Sequence, residues 1–495
     1  MAVKDFAVLF HKMKKAVEFN LKFFLFLFLA ICLLAIIHVV IVSEVLGQQI
    51  EEIHLDYGVS VGEGPRYYGV EYGWIDQDKS LFIKRLKRLN ANVVRVQISQ
   101  EVFEPFNDND DPNYSQIDFS VKATVDRQKG KTLTYEKMFR TLAKKFPEMQ
   151  FQVNVWLCAR WNATDSNGYS GLGGAYPPSD YAEHHEFVKA LAQWLVNICG
   201  ISPHLLSFTF INEPNIAGFF VGTQSDLARM AQETRAALDE VSPLIRMGGL
   251  DEVNGTAWSD QFYQYNWPNW NDVLTTHVYR QGVNTVWVGL QTQIIQLAQY
   301  GPVWVTEFAD TNNGSPDGKM DFSTRDAALG FSELLGRLWP SGIDGIIHFR
   351  FSDTYADFLG GWVGHGLFAD SRGTHANGIP YKPFPSYFLF ANIYRELGGA
   401  KIVRTDSPKD LIVVGAKKTY GSKNKVVIFV TNPTSDQREI KFVMDNLPFK
   451  RMRIKLFDNL ASYKPTRVIK TLDKELAFNA IFPARSSYLF VAQLY

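Results

Sequence analysis

The chain has 495 residues, 46% hydrophobic and 21% charged, with 51 Lys and Arg balancing 51 Asp and Glu. This length exceeds one ordinary domain and suffices for a large barrel plus an accessory domain of globular composition. A formal net charge of zero gives nucleic acid or another polyanion no advantage as partner.

The first element is apolar. Phe23 to Val42 is interrupted only by His38. At about 1.5 Å per residue, a helix there spans the roughly 30 Å hydrocarbon layer. Lys4, Lys12, Lys14, Lys15 and Lys22 precede it, and Glu44, Glu51, Glu52 and Asp56 follow. The positive-inside rule then gives a cytoplasmic tail at 1–22, a membrane anchor at 23–42 and everything after Ser43 outside. A cleaved signal peptide is the competing reading, with Val45-Leu-Gly47 as its small-residue site. Residues 43–65 read as a linker, part of which can add a strand to the last domain.

From Arg66 strands and helices alternate. Tyr67–Gly73, Asn92–Ile98, Phe151–Trp156, Leu206–Ile211, Arg246–Leu250, Asp272–Tyr279, Val303–Glu307 and Gly345–Phe351 read as strands, separated by segments that mostly have helical spacing. Eight such units predict a (β/α)8 barrel over 66–399. A doubly wound sheet would carry a Gly-rich turn after its first strand, and Tyr72-Gly-Trp-Ile-Asp76 is not one. After Ala400 come short strands and turns with no long helix, which predicts a β-sandwich over 400–495. Cys32, Cys158 and Cys199 fall too far apart in this scheme for a disulfide. No Cys/His cluster has metal-binding spacing, so no metal and no cofactor are expected.

Two predicted strands end in a carboxylate. Phe208-Thr-Phe-Ile-Asn-Glu-Pro-Asn215 closes the fourth with Glu213, and Val303-Trp-Val-Thr-Glu-Phe308 closes the seventh with Glu307. Barrel chemistry sits at the C-terminal ends of strands. Two carboxyl groups there are what glycoside hydrolysis needs, one to protonate the leaving oxygen and one to attack or stabilise the anomeric carbon.

Asn212-Glu-Pro214, Thr306-Glu-Phe308 and His277-Val-Tyr279 resemble the motifs of clan A retaining glycoside hydrolases, over roughly Arg66 to Tyr495. Asn-Glu-Pro-Asn, Gly366-Leu-Phe368 and Lys382-Pro-Phe-Pro-Ser-Tyr387 are most similar to the branch with β-xylosidases, α-iduronidases and exopolysaccharide-cluster hydrolases. The resemblance implies Glu213 as general acid/base and Glu307 as nucleophile. It implies Arg95 and Tyr279 as hydrogen-bond donors to Glu307, Asn212 on the sugar 2-hydroxyl and His277 shaping the sugar site. The eighth strand of this branch carries a Trp under the sugar. Here His348 takes that position, and Phe349 or Trp362 can substitute. Trp74, Trp156, Trp161 and Tyr176 are candidate sugar platforms. Glu71 is a third inward acid, whereas Asp251 and Asp310 read as loop residues. The polar segment Glu101–Thr132 reads as a solvated loop beside the cleft, since it lacks the Gly and Glu of an EF-hand.

The expected protein is thus a membrane-anchored retaining glycosidase acting outside the cytoplasm on an oligo- or polysaccharide, beside exopolysaccharide synthesis or export machinery. A transglycosidase and a non-catalytic polysaccharide-binding or scaffold protein are the alternatives.

Overall fold

The computed structural model describes residues 50–494 apart from 72–78, 108–116, 121, 127–130, 167–175, 217, 255–257, 260–261, 263–271, 281–286, 311–321, 357–360, 371–372, 374–375, 421–422, 448–451, 463 and 472–476. The anchor read at 23–42, Cys32 and Trp74 lie outside the described residues. Among the described residues no helix is long and apolar enough to cross a membrane.

The first strand, β1 (Glu51–Glu63), belongs to the second of two large sheets. The first sheet starts with β2 (Tyr67–Glu71) and β3 (Val93–Ser99). A hairpin, β4 (Lys122–Asp126) and β5 (Lys131–Thr134), stands in the long connection that follows. The sheet continues with β6 (Gln150–Leu157), β7 (Leu206–Thr209), β8 (Arg246–Met247), β9 (Glu252–Val253), β10 (Leu274–Arg280), β11 (Val303–Asp310) and β12 (Gly345–His348). Its order is β8-β7-β6-β3-β2-β12-β11-β10-β9, all parallel. The terminal members β8 and β9 come from one segment, 246–253, so that segment closes the ring. The predicted fifth strand is therefore split in two, and the eighth stops at His348 rather than Phe351.

Helices α1 (Lys79–Leu89), α2 (Gln100–Phe103), α3 (Tyr135–Lys145), α4 (Tyr181–Gln193), α5 (Gln224–Val241), α6 (Trp287–Ala298), α7 (Arg325–Leu338) and α8 (Pro385–Leu397) surround the strands. Their starts follow from local chemistry. Thr223 and Asp226 form a reciprocal capping box on α5, Thr134 and Thr324 accept from the third backbone N–H of α3 and α7, and Pro385 opens α8. Strand residues are buried on both faces, as parallel strands under helices require. Val93, Trp304 and Ile347 from three strands, with Val273 just before β10, form a separate apolar cluster that fills the barrel interior.

Beyond a short hairpin, β13 (Thr354–Ala356) and β14 (Gly361–Val363), the second sheet is built from β15 (Lys401–Thr405), β16 (Ile412–Tyr420), β17 (Lys423–Asn432), β18 (Arg438–Asp445), β19 (Met452–Asp458), β20 (Arg467–Thr471), β21 (Ala477–Phe482) and β22 (Ser486–Leu494). Its order is β20-β19-β22-β17-β16-β15-β1-β18-β21. β1 pairs antiparallel with β15 and parallel with β18. The strand that part of the 43–65 linker can add to this domain is β1: Ile53 and Leu55 alternate with Glu52 and His54, and the apolar pair enters the core of the domain.

The domain has its own core of Ile53, Leu55, Ile428, Phe442, Phe478 and Phe490, among others. Its other face presents Val414, Ala416, Val427, Phe429 and Val491 to the barrel core, against α7 and α8. Gly336 on α7 permits the approach, because a Cβ there would lie 2.5 Å from Ile412 Cγ2 and 2.9 Å from Phe429 Cε1. Cys158 and Cys199 are buried and form no disulfide with each other.

Candidate active site

The inward positions of β3 are Val93, Arg95 and Gln97, by strand alternation. Arg95 is completely buried and forms the hub of the site. Its Nη1 donates to Glu71 Oε2 at 2.7 Å and to Glu307 Oε1. Its Nη2 donates to Asn212 Oδ1 at 2.8 Å and to Asp251 Oδ2 at 3.1 Å. One guanidinium thus binds residues from strands one, four, five and seven of the ring. A buried cation needs such counter-charges. Burial opposes its charged form, but Glu307, Asp251 and Glu71 outweigh that and hold it protonated.

Glu307 reaches the site through a bulge. Thr276 pairs with Val305 and His277 with Glu307, so Thr306 is an extra residue in β11. Plain alternation from Trp304 would turn Thr306 inward and Glu307 outward. With the bulge both reach the interior. Thr306 Oγ1 donates to Asp251 Oδ1 at 2.5 Å, while Tyr279 O–H donates to Glu307 Oε2 at 2.5 Å. Gln97 Nε2 adds a longer contact to Glu307 Oε1 at 3.4 Å.

Glu213 is aimed by its backbone. Glu213 and Asp251 have φ of 49° and 51°, in the left-handed region that non-glycine residues rarely occupy. The Glu213 N–H donates to the Asp251 carbonyl at 3.2 Å, tying the two together. Strain of this kind persists where surrounding structure enforces it, and it clusters at functional sites. Glu213 Oε1 lies 2.7 Å from His277 Nδ1, which is 3.6 Å from Glu307 Oε2. Burial, followed by the charge of Glu307, raises the Glu213 carboxyl against the pull of His277 and Arg95. Burial works to lower His277, but Glu307 and Glu213 prevail and raise it. The pair therefore retains a proton above the pH at which either group alone would release it.

One oxygen of Glu213, one oxygen of Glu307 and a nitrogen of His277 lie within 4.8 Å of one another. Carboxyl groups about 5–5.5 Å apart suit double displacement, whereas roughly 6.5–9.5 Å leaves room for a water and inversion. Such a trio could also ligate a cation. Here Arg95 donates to one Glu307 oxygen and neutral Tyr279 to the other, and the guanidinium supplies positive charge beside the carboxylate. A second buried group with comparable spacing is Glu104, Glu183 and Glu186, where α2 and α4 meet.

Glu213, Glu307, Arg95, Asn212, His277 and Tyr279 converge. Asn212 spends Oδ1 on Arg95, and its NH2 has no partner among the described residues, so it remains a donor facing the site.

The structure corrects His348. It is fully buried, with its ring 4.8, 5.0 and 5.4 Å from those of Phe390, Phe331 and Phe308. Its nitrogens face the carbonyls of Phe308 and His365 at 3.2 and 3.1 Å, and burial pushes it down to about 3. It packs under the helices and takes no part in a sugar floor. Alternation along β12 puts Ile347 inside the barrel, and half-buried Phe349 follows on that side.

Trp156 is half-buried against the barrel core. Trp161 donates its indole N–H to the Glu104 carbonyl at 2.8 Å. Trp362 lies in β14, its side chain outside the described set.

Asp251 was read as a loop residue, and it is instead fully buried, bound by Arg95, Asn154 and Thr306. Glu71 is also buried, between Arg95 and Arg350. Burial and then Glu307 raise it to about 7 against both arginines. The signal for Glu71 is its inward place on the first strand, Tyr67–Gly73. Asp251 had no such signal, because β8 and β9 have two residues each.

Residues 179–329 match the family model described as glycosyl hydrolase catalytic core, a stretch that contains Glu213, Asp251, His277, Tyr279 and Glu307. No curated protein matches the chain. Among solved structures it is similar to the family 30 subfamily 8 xylanase Xyn30A from Clostridium acetobutylicum, with 15% identity, TM-score 0.63 and coverage of 89% of this chain and 99% of that one. A monomeric β-xylosidase from Caulobacter crescentus gives 16%, 0.63, 90% and 99% on the same measures. SrfJ from Salmonella typhimurium gives 11%, 0.60, 89% and 92%. At these identities the likeness is one of fold. It extends over the barrel and the β-domain together.

Proposed function

We propose that this chain, which carries a glycosyl hydrolase catalytic core, is a retaining glycosidase that cleaves an oligo- or polysaccharide outside the cytoplasm. The observation that supports it best is the approach of Glu213 and Glu307 within 4.8 Å at the C-terminal ends of the fourth and seventh strands of one barrel.

Glu307, which accepts hydrogen bonds from Arg95 and Tyr279, attacks the anomeric carbon. The glycosidic C–O bond breaks, and the proton kept by the Glu213–His277 pair goes to the leaving oxygen. Glu213, now a base, takes a proton from water, which attacks the glycosyl ester and releases Glu307. Burial pushes the Tyr279 hydroxyl well above its ordinary range, and Glu307 and Glu213 add to this, so it stays a donor to the nucleophile. The NH2 of Asn212 is placed to bind the 2-hydroxyl as charge develops on the sugar.

The burial of His348 withdraws the main support for a non-catalytic barrel, since that residue does not stand where a sugar floor would be. With an activated aryl glycoside, wild type gives an initial burst of phenol and Glu307→Gln gives none. If both are equally inert across a broad glycan panel, the reading fails. Products formed with an added sugar acceptor distinguish hydrolysis from transglycosylation.

Membrane attachment through 23–42 belongs to the same proposal. It rests on the apolar run and the lysines before it. Protease added to intact cells should degrade the barrel and spare a tag at residue 1.

A further inference from the structure

The β-domain carries basic residues directly opposite one another. Lys418 on β16 pairs with Lys425 on β17, Lys425 with Gln493 on β22, and Gln493 with Arg453 on β19. Opposed residues of antiparallel strands share a face, and strands lie about 4.8 Å apart. The row therefore crosses four strands in a line. Like charges so placed destabilise a sheet.

Part of that cost is met inside the fold. Lys418 Nζ donates to the carbonyls of Arg395 and Gly398 at 3.0 and 2.7 Å, at the C-terminal end of α8. Lys425 Nζ lies 3.2 Å from Glu396 Oε2, and Arg395 Nε lies 2.7 Å from Glu396 Oε1. Burial works to raise the Glu396 carboxyl, but Arg395 and Lys425 win and hold it below its usual range. Arg453 and Lys455 are exposed, and neither has a carboxylate partner among the described residues. These groups line a groove between the end of α8 and the sheet, with Phe457 and Val491 beneath. Four cations there face one carboxylate that is already engaged. The zero net charge of the chain conceals this local excess.

We propose that the groove is a second saccharide site, which binds a linear glycan bearing carboxylates on successive sugars. Lys425, Gln493 and Arg453, opposed on three adjacent strands, form a row of donors along the groove that suits an extended chain better than a compact anion. The choice of a saccharide rests on the glycosidase reading. The groove itself lies on the far side of α8 from the barrel strands, outside the catalytic machinery.

The test uses the full chain in mild detergent, titrated calorimetrically with a galacturonate hexamer and with a neutral xylose hexamer. Wild type binds the galacturonate hexamer at least tenfold more tightly, and the advantage shrinks as salt is added. The double variant Arg453→Glu, Lys455→Glu loses at least tenfold in galacturonate affinity, and turnover of an aryl glycoside stays at the wild-type value. Arg453→Gln with Lys455→Gln, a milder change at exposed positions, shows a smaller loss in the same direction. Equal affinity for the two hexamers, or unchanged galacturonate affinity in both double variants, overturns the proposal. So does binding by wild type to vesicles of anionic lipid but not to galacturonate. Failure of the catalytic reading would appear separately, as inert wild type on aryl glycosides with the binding results intact.

Discussion

Glu71 is the residue whose charge the fold resists most clearly. It shares Nη1 of Arg95 with Glu307, and it is raised from an ordinary 4.5 to about 7. A carboxyl raised on folding favours the native state most below its unfolded value, and that contribution is lost as pH rises through the folded one. Glu71→Gln keeps an acceptor for Arg95 and removes the charge. Its melting temperature should therefore gain on wild type between about pH 5 and about pH 8, as native Glu71 is forced to ionise. Parallel melting curves across that range would contradict the assignment. Of this residue network, Glu213 and Glu307 were legible in the sequence because each ends a run that reads as a strand. Asp251 was not, since its site depends on the neighbours that close around it. The motif position of His348 points to the site, but alternation along the strand puts Ile347 and Phe349 on the inner side and His348 on the outer.

At the scale of elements, periodicity located most barrel strands and their helices. It gave no sign of the bulge at Thr306, which arises from how β10 and β11 pair and has no local signature. The β-domain was recognisable from its short strands and turns. The membership of β1 was harder to see, because its partners β15 and β18 lie far along the chain. Two ladders depend on that strand. Removing residues 1–63 would expose one edge of β15 and one of β18, together with the core around Phe442. A chain starting at residue 64 should aggregate or be cut rapidly within 400–495 by trypsin, while one starting at residue 48 resists. Equal resistance would show that β1 is dispensable.

The whole molecule behaves as one body if the barrel and β-domain share a core, and the residues from α7, α8, β16 and β17 say that they do. Calorimetry should then show one unfolding transition. Gly336→Leu forces a side chain into Ile412 and Phe429, where overpacking costs about 1–3 kcal/mol. That variant should melt earlier, or split the transition in two. A split already present in wild type would mean that the domains unfold independently.

The position of β1 also sets a timetable. Its backbone leaves the ribosome before the barrel, yet its first partner, β15, begins only at Lys401. At about 5–20 residues per second, roughly 340 intervening residues keep it waiting for on the order of 20–70 s. Throughout that interval a single strand with Ile53 and Leu55 on one side must avoid sticking to anything else. Glu51, Glu52, His54 and Asp56 lie among and beside those apolar residues. The charges of Glu51, Glu52 and Asp56 later make ion pairs with Arg438, Lys441 and Arg404 respectively. Until then, they keep the nascent segment soluble.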